Sequence, residues 1–334
     1  MEERNNSRFF PSQTMYDEHM REQIIEVNSS KSITEALQEA AQYQGRVVLV
    51  LERGTYYEKV TVDRPEITLR GVSASDTCIT FDDAALTRKN GNPMGTFATA
   101  SVTVKAPCFR AENLTFANGF DYPAHSGAVK DNPGKVKGLQ AVAFRTTESA
   151  DKTELSGCSF IGYQDTLLLD AGYHHLEGCT IEGNIDFIFG AGTALFEGCT
   201  ILSNGSGYVC APSTKSDRPG FLFHRCNFMK KQGVEKSSVY LGRPWHPGAD
   251  PFLVSYAGLL ECHLEDHIKE EGWTWMHAFP PSGGEQIFTV EQSHFFESES
   301  SGPGSSPLRN TVSLQVGFDE LKRFLELDYV SECI

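Results

Sequence analysis

The sequence predicts an all-β fold, a parallel β-helix with helical end pieces, and three observations carry that prediction. Short strand-like runs follow one another from Arg46 almost to the carboxyl end, separated by glycine or charged turns: VVLVLERGTYYEKVTV, ITLRGVS, SVTVKAPCFRAENLTFANG and LQAVAFRTT. One pattern returns at a fixed interval: GCSFIG begins at Gly157, GCTIEG at Gly178 and GCTILS at Gly198, so Cys158, Cys179 and Cys199 stand 21 and 20 residues apart. Helical periodicity is confined to the two ends of the chain. Stacked coils explain such an interval, because each circuit sets its equivalent residues about 4.8 Å above the last. A β-sandwich also contains many short strands but gives no reason for the repeat.

The first 29 residues lack steady periodicity and read as a tail or cap, leaving residues 30–334 as one β-helix domain with a C-terminal helix. SITEALQEAAQ carries a helical apolar stripe of Ile33, Ala36, Leu37, Ala40 and Ala41, with Ser32 and Glu35 placed for a capping box. RCNFMK at Cys226 and ECHLED at Cys262 continue the cysteine theme after longer intervals, and ENLTFANG gives a version without cysteine at Asn113. The extra residues are expected to leave the coil as loops and to wall a cleft. SGAVKDNPGKVKG at 126–138 reads as one such excursion, either a cleft wall or an exposed loop without substrate contact. FDELKRFLELDY near the end is the second helix.

The chain has 334 residues, and its formal charge of −15 comes without any basic block, which argues against nucleic acid or an anionic membrane as partner. No segment approaches the ~20 apolar residues that span a bilayer. Nine cysteines form no close CxxC pair, so a thiolate metal site has no support. Buried free thiols are the expectation, with one or two disulfides as the alternative. The amino terminus, MEERNNSRFFPSQTMYDEHMREQ, has no apolar signal core, which implies a cytoplasmic protein if the sequence is full length and a secreted one if a signal was removed.

The chemistry concentrates in a pair of acids. Asp165 lies seven residues after Cys158, and Asp186 seven after Cys179, so equal offsets on adjacent coils bring the two carboxyl groups to one face. Like charges so placed share a proton or take unequal affinities, leaving one as nucleophile or base and the other as acid. The bland alternative is two turn caps facing water. Gln164 precedes Asp165, and Gln140 lies in LQAVAF roughly one coil earlier; an amide NH2 donates to a developing oxyanion without adding charge. Arg243 in YLGRPWHPG offers a fork to orient Asp186, and Trp245 a flat face for a sugar ring, unless the two are a structural ion pair beside a packed indole. His246 is free to be mobile and exposed, and nothing requires it as the base.

These stretches, taken in order, resemble the pectinesterase (pectin methylesterase) family over most of residues 30–320. GTYYEKV at 54–60, QAVAFR at 140–145, GYQDTLL at 162–168, GNIDFIFG at 183–190 and LGRPW at 241–245 carry the resemblance, with GWTW at 272–275 and SGPGS at 301–305 in weaker support. It implies a right-handed parallel β-helix that hydrolyses methyl esters of galacturonosyl units in pectin or methylated oligogalacturonides, without cofactor or metal. It further implies Asp186 as nucleophile, Asp165 as acid and base, Gln140 and Gln164 as oxyanion donors, Arg243 as orienting guanidinium and Trp245 as substrate contact. Tyr163, Phe187 and Phe189 are expected to shape the groove, with apolar packing between rungs the equal alternative for the two phenylalanines, and one chain, a monomer, is expected to suffice. Leu168 departs from the pattern, standing where many relatives have an aromatic residue. Competing readings are a thioesterase, a lyase or polygalacturonase that cuts the glycosidic chain, and a carbohydrate-binding β-helix without chemistry.

Overall fold

The computed structural model describes residues 22–131, 138–310 and 318–325. Its strands wind into coils with three faces. The first face is a ten-stranded parallel sheet running from Gln23–Val27 and Val47–Leu51 to Tyr256–Leu260 and His294–Ser298. A thirteen-stranded sheet supplies the other two, because the long strands Thr180–Gly190 and Thr200–Pro212 bend through a corner and belong to both. The second face holds Thr115–Asn118 and Ser159–Ile161 in register with residues 180–182, and the third holds Phe144–Thr146 and Leu167–Leu169. The parallel β-helix expected from the repeat is therefore present. Gln23–Val27 opens the first face, so the coil begins ahead of residue 30.

The GC repeat has a backbone cause. Gly157, Gly178 and Gly198 sit between first-face and second-face strands with φ of 58°, 58° and 60°, and Asn113, Arg225 and Glu261 occupy the same turn with φ of 57°, 53° and 54°. A left-handed residue turns the chain from one sheet to the next, and glycine adopts it without steric cost. The residue that follows points inward. Cys158, Cys179, Cys199, Cys226 and Cys262 are all buried free thiols, and each of the last four donates back to a carbonyl of the coil before: Cys179 Sγ to Leu155 O at 3.3 Å, Cys199 to Leu176 O at 3.3 Å, Cys226 to Phe196 O at 3.3 Å and Cys262 to Phe223 O at 3.2 Å. Seven described cysteines are free and Cys108 is disulfide-bonded, so both readings of the cysteines apply in part.

Aliphatic and phenylalanine ladders fill the interior, as in the stack of Phe116 on Phe160 at 5.4 Å. The first helix, α1 (Ile33–Ala40), has the capping box of Ser32 and Glu35 and buries Ile33, Ala36 and Ala40 against the first coils. Its free N–H groups at Ile33 and Thr34 also donate to the Glu58 carboxylate at 2.8 and 3.2 Å. A second helix, α2 (Tyr122–Asp131), replaces the first part of the loop expected at 126–138; residues 132–137 lie outside the described residues. The last, α3 (Phe318–Leu325), does not cap an end. It lies on the outer side of the first face, where Leu321 and Phe324 join Leu195, Leu222, Tyr256, Leu260 and Phe296. No helix among the described residues is long and apolar enough to cross a membrane. The N-terminal segment from which a compartment was expected lies largely outside the described residues.

Glycines inside GNIDFIFG are fixed by contact rather than by turn type alone. At Gly190, φ is 125° and a Cβ would stand 2.0 Å from the Leu169 carbonyl oxygen on the coil below. Gly190→Ala is expected to cost about 1–3 kcal/mol through that backbone clash, seen in a thermal melt as a fall of several degrees. An unchanged melting temperature would show that the coils separate there without penalty.

Candidate active site

The corner between the second and third faces produces the site. Asp165 and Asp186 have φ of 63° and 49°, left-handed values that aspartate tolerates better than most residues. Three residues before each stands a glycine, and one residue after each stands a side chain folded back over that glycine. A Cβ on Gly162 would meet Thr166 Oγ1 at 2.6 Å, and one on Gly183 would meet Phe187 Cβ at 2.2 Å. Thr166 and Phe187 thus turn inward, and the acid before each is thrown outward. The coils stay in step through this corner: Gln164 pairs with Ile185, Asp165 N–H donates to Ile185 O at 3.0 Å, and Leu167 pairs with Ile188. The constant offset of 21 residues sets Asp165 beside Asp186.

Both acids line a cleft of about 300 Å³ together with Gln140, Gln164, Phe189, Arg243 and Trp245. Arg243 grips Asp186 with both arms, Nε to Oδ1 at 2.9 Å and Nη2 to Oδ2 at 2.6 Å. Its guanidinium is itself held 3.8 Å above the Tyr208 ring. Planar bidentate pairing of this kind fixes the orientation of a carboxylate. Asp165 has no such partner. Burial raises its carboxyl well above the ordinary value, and the nearby charge of Asp186 raises it further; Arg243 and a hydrogen bond from Gln164 oppose this without cancelling it. Asp165 is therefore built to hold a proton beside a carboxylate that Arg243 fixes in place, an unequal pair of adjacent acids.

The amides stand where the coil spacing puts them. Ala141 N–H donates to Gln164 O at 3.1 Å, which stacks the Gln140 segment on the Gln164 segment. The Oε1 of Gln140 is buried without a hydrogen-bond partner, so one end of that amide is left unsatisfied within the protein. Trp245 packs edge-on to Phe189 at 5.7 Å and to Phe97 at 6.4 Å, forming an aromatic rim.

Three expectations need correction. Phe187 is fully buried in the interior, because its fold-back over Gly183 makes the corner; only Phe189 of the two reaches the cleft. Tyr163 lies outside the cleft lining and stacks on Tyr122 of α2 at 5.1 Å, with an interplanar angle of 8°. His246 is buried against Phe288, with ring centroids 3.6 Å apart, and burial lowers its pKa, so it is neither mobile nor exposed. Leu168 is also fully buried, in the apolar cluster that underlies Trp245. Sequence reading missed Thr96 and Phe97, in a short turn, and Met276, in a two-stranded antiparallel pair, which reach the cleft from segments that follow no repeat.

Comparison with known proteins agrees with this architecture. The pectinesterase family model matches residues 26–314. Pectinesterase A of Dickeya chrysanthemi is 33% identical over 313 residues, spanning 88% of this chain and 85% of the relative. A pectin methylesterase from Yersinia enterocolitica superposes with a TM-score of 0.79 at 34% identity, over 88% of this chain and 96% of the other. A crystal structure of a pectin methylesterase in complex with a hexasaccharide superposes with a TM-score of 0.81 at 33% identity, over 87% and 92%. The chain belongs to the pectinesterase family.

Proposed function

We propose that this cleft hydrolyses methyl esters of galacturonosyl units in pectin and releases methanol, with Asp186 as nucleophile and Asp165 as acid and then base. The observation that carries the reading is the unequal acid pair, one carboxylate clamped by Arg243 and the other held protonated by burial beside it. The relative solved with a hexasaccharide supports a sugar-polymer substrate. An Asp186 oxygen attacks the ester carbonyl carbon, and the charge that develops on the carbonyl oxygen meets the amides of Gln140 and Gln164. An amide has two N–H donors, so Gln164 can serve both Asp165 and the oxyanion. Asp165 gives its proton to the departing methoxy oxygen as the carbon–oxygen bond breaks, and methanol leaves behind an anhydride on Asp186. Asp165, now ionised, takes a proton from water, whose oxygen attacks the anhydride and frees the uronate. Trp245 and Phe189 offer apolar faces for the sugar ring and its methyl group.

A neutral ester is also the substrate form best suited to a chain of charge −15, and its ionised product is repelled. The test is to incubate the protein with highly methylated pectin and with short methylated oligogalacturonides, following methanol and product chain length together. Methanol release with chain length preserved is expected. Chain shortening would place the activity on the glycosidic bond instead, and strong preference for one substrate size would fix polymer or oligomer as the natural partner.

A further inference from the structure

The third face continues past the catalytic cleft in a single outward column, where Thr103, Arg145, Leu168, Phe189 and Ala211 pair in register from coil to coil. Phe189 and Ala211 line the cleft, Leu168 is buried beneath its rim, and the next rung is Arg145. This arginine does not project into solvent. Its Nη1 donates to the backbone oxygen of Phe97 at 3.2 Å, its guanidinium carbon lies 4.9 Å from the centroid of the Phe97 ring, and its Nη2 reaches Asp170 Oδ2 at 3.4 Å. Asp170 sits two residues beyond Leu168 on the same coil, so the anchor of the arginine directly follows the strand Leu167–Leu169.

Phe97 belongs to a short 3-10 turn, Thr96–Thr99, that leaves the coil and hangs over the cleft. The far end of the turn is secured from inside: Thr99 Oγ1 accepts from Val142 N–H at 3.0 Å, and Asn118 Nδ2 donates to Thr99 O at 3.4 Å. Lys59 holds the oxygen of Ala98 at 2.6 Å. Phe97 as a residue is 40% exposed, and its ring faces both Trp245 and the arginine. An exposed phenylalanine on a surface turn ordinarily samples several rotamers. A cation over its face and a hydrogen bond to its own carbonyl favour one of them.

We propose that Arg145 is a positioning residue for substrate binding, which acts through Phe97 by holding that ring edge-on to Trp245 and so keeping the aromatic wall of the cleft closed on the sugar. Arg145 touches none of the reacting groups. Its effect falls on the binding of the chain rather than on attack at the ester, because its guanidinium is engaged by Phe97 and Asp170 and by neither the acid pair nor the amides. The inference rests on the proposed esterase reading of the cleft.

The test is a double-mutant cycle on the full chain, measuring methanol release from a methylated oligogalacturonide series, with a thermal melt of each variant. Arg145→Met is expected to raise KM about fivefold while kcat stays within about twofold. Arg145→Lys keeps a charge for Asp170 but loses the planar contact, and its KM should fall between. Phe97→Ala should raise KM by as much as Arg145→Met, and the double variant no further than Phe97→Ala alone. If the two effects multiply, or if Arg145→Met lowers kcat and leaves KM alone, Arg145 does not act through the ring and the proposal is wrong. If Arg145→Met proves unstable, the Lys variant and Asp170→Asn carry the same comparison. A wild-type protein that releases no methanol overturns the esterase reading and this inference together, whereas an active wild type with an indifferent Arg145 overturns this inference alone.

Discussion

Asp186→Asn is expected to lower kcat for methanol release by about 10⁴-fold or more, as loss of a covalent nucleophile does in enzymes whose catalytic groups act as a unit. An amide is nearly isosteric with the carboxylate but has no charge to place on the ester carbon. The variant should nevertheless fold. Asparagine keeps one oxygen for the Arg243 fork, and the guanidinium, with 20% of its side chain exposed, retains the Tyr208 ring beneath it. Removing one partner of a fully buried pair costs about 3–5 kcal/mol, and the residual exposure and the ring contact place this change below that range. Methanol assays with a parallel circular-dichroism melt separate the two effects. Turnover persisting within about tenfold of wild type in a folded variant would remove Asp186 as the nucleophile and leave the Arg243 pair as scaffolding.

Much of this arrangement is legible in the sequence because a coiled sheet converts sequence offset into distance. The cysteine interval gave the circuit, and equal steps from Cys158 and Cys179 put Asp165 and Asp186 on one face. The same logic succeeded for Gln140 and Gln164, which are also on the coil. It failed where the chain leaves the coil. Phe97 and Met276 come from excursions of irregular length, and no periodicity reports where such excursions fold back. It failed in a second way at Phe187. Alternation along an ideal strand would place that residue by parity, but the left-handed φ of Asp186 breaks alternation at the corner, so Phe187 turns inward and Phe189 outward. The clue was present in Gly183, whose missing side chain makes room for the ring, yet a glycine in a strand signals close approach without saying what approaches. Helix α2 escaped notice because its sequence, YPAHSGAVKD, has almost no apolar stripe.

Asp165→Asn joins the chemistry to stability, and its two effects have opposite signs. Without a proton donor for methanol or a base for water, turnover is expected to fall about 10²–10⁴-fold. Stability is expected to rise. In the wild type, burial and the neighbouring Asp186 charge lift the Asp165 carboxyl well above its ordinary 3.8. Between that ordinary value and the raised one, the folded protein retains a proton that the unfolded chain has released. Stability therefore declines as pH rises through this window, by about 1.4 kcal/mol per pH unit, and levels off above the raised value. Asparagine does not titrate, so the variant's advantage over wild type should be absent below the ordinary value, grow across the window and then hold constant. Catalysis by the wild type should fall at the upper edge of the same window, where Asp165 loses the proton it donates. Asp186→Asn removes one of the two causes of the shift, which should narrow the window and bring the stability decline to an end at lower pH. Denaturant melts of the three proteins across pH measure all of this without relying on activity. A stability difference between wild type and Asp165→Asn that does not change with pH would mean that Asp165 is ionised in the folded enzyme, and the division of labour between the two acids would then have no electrostatic basis.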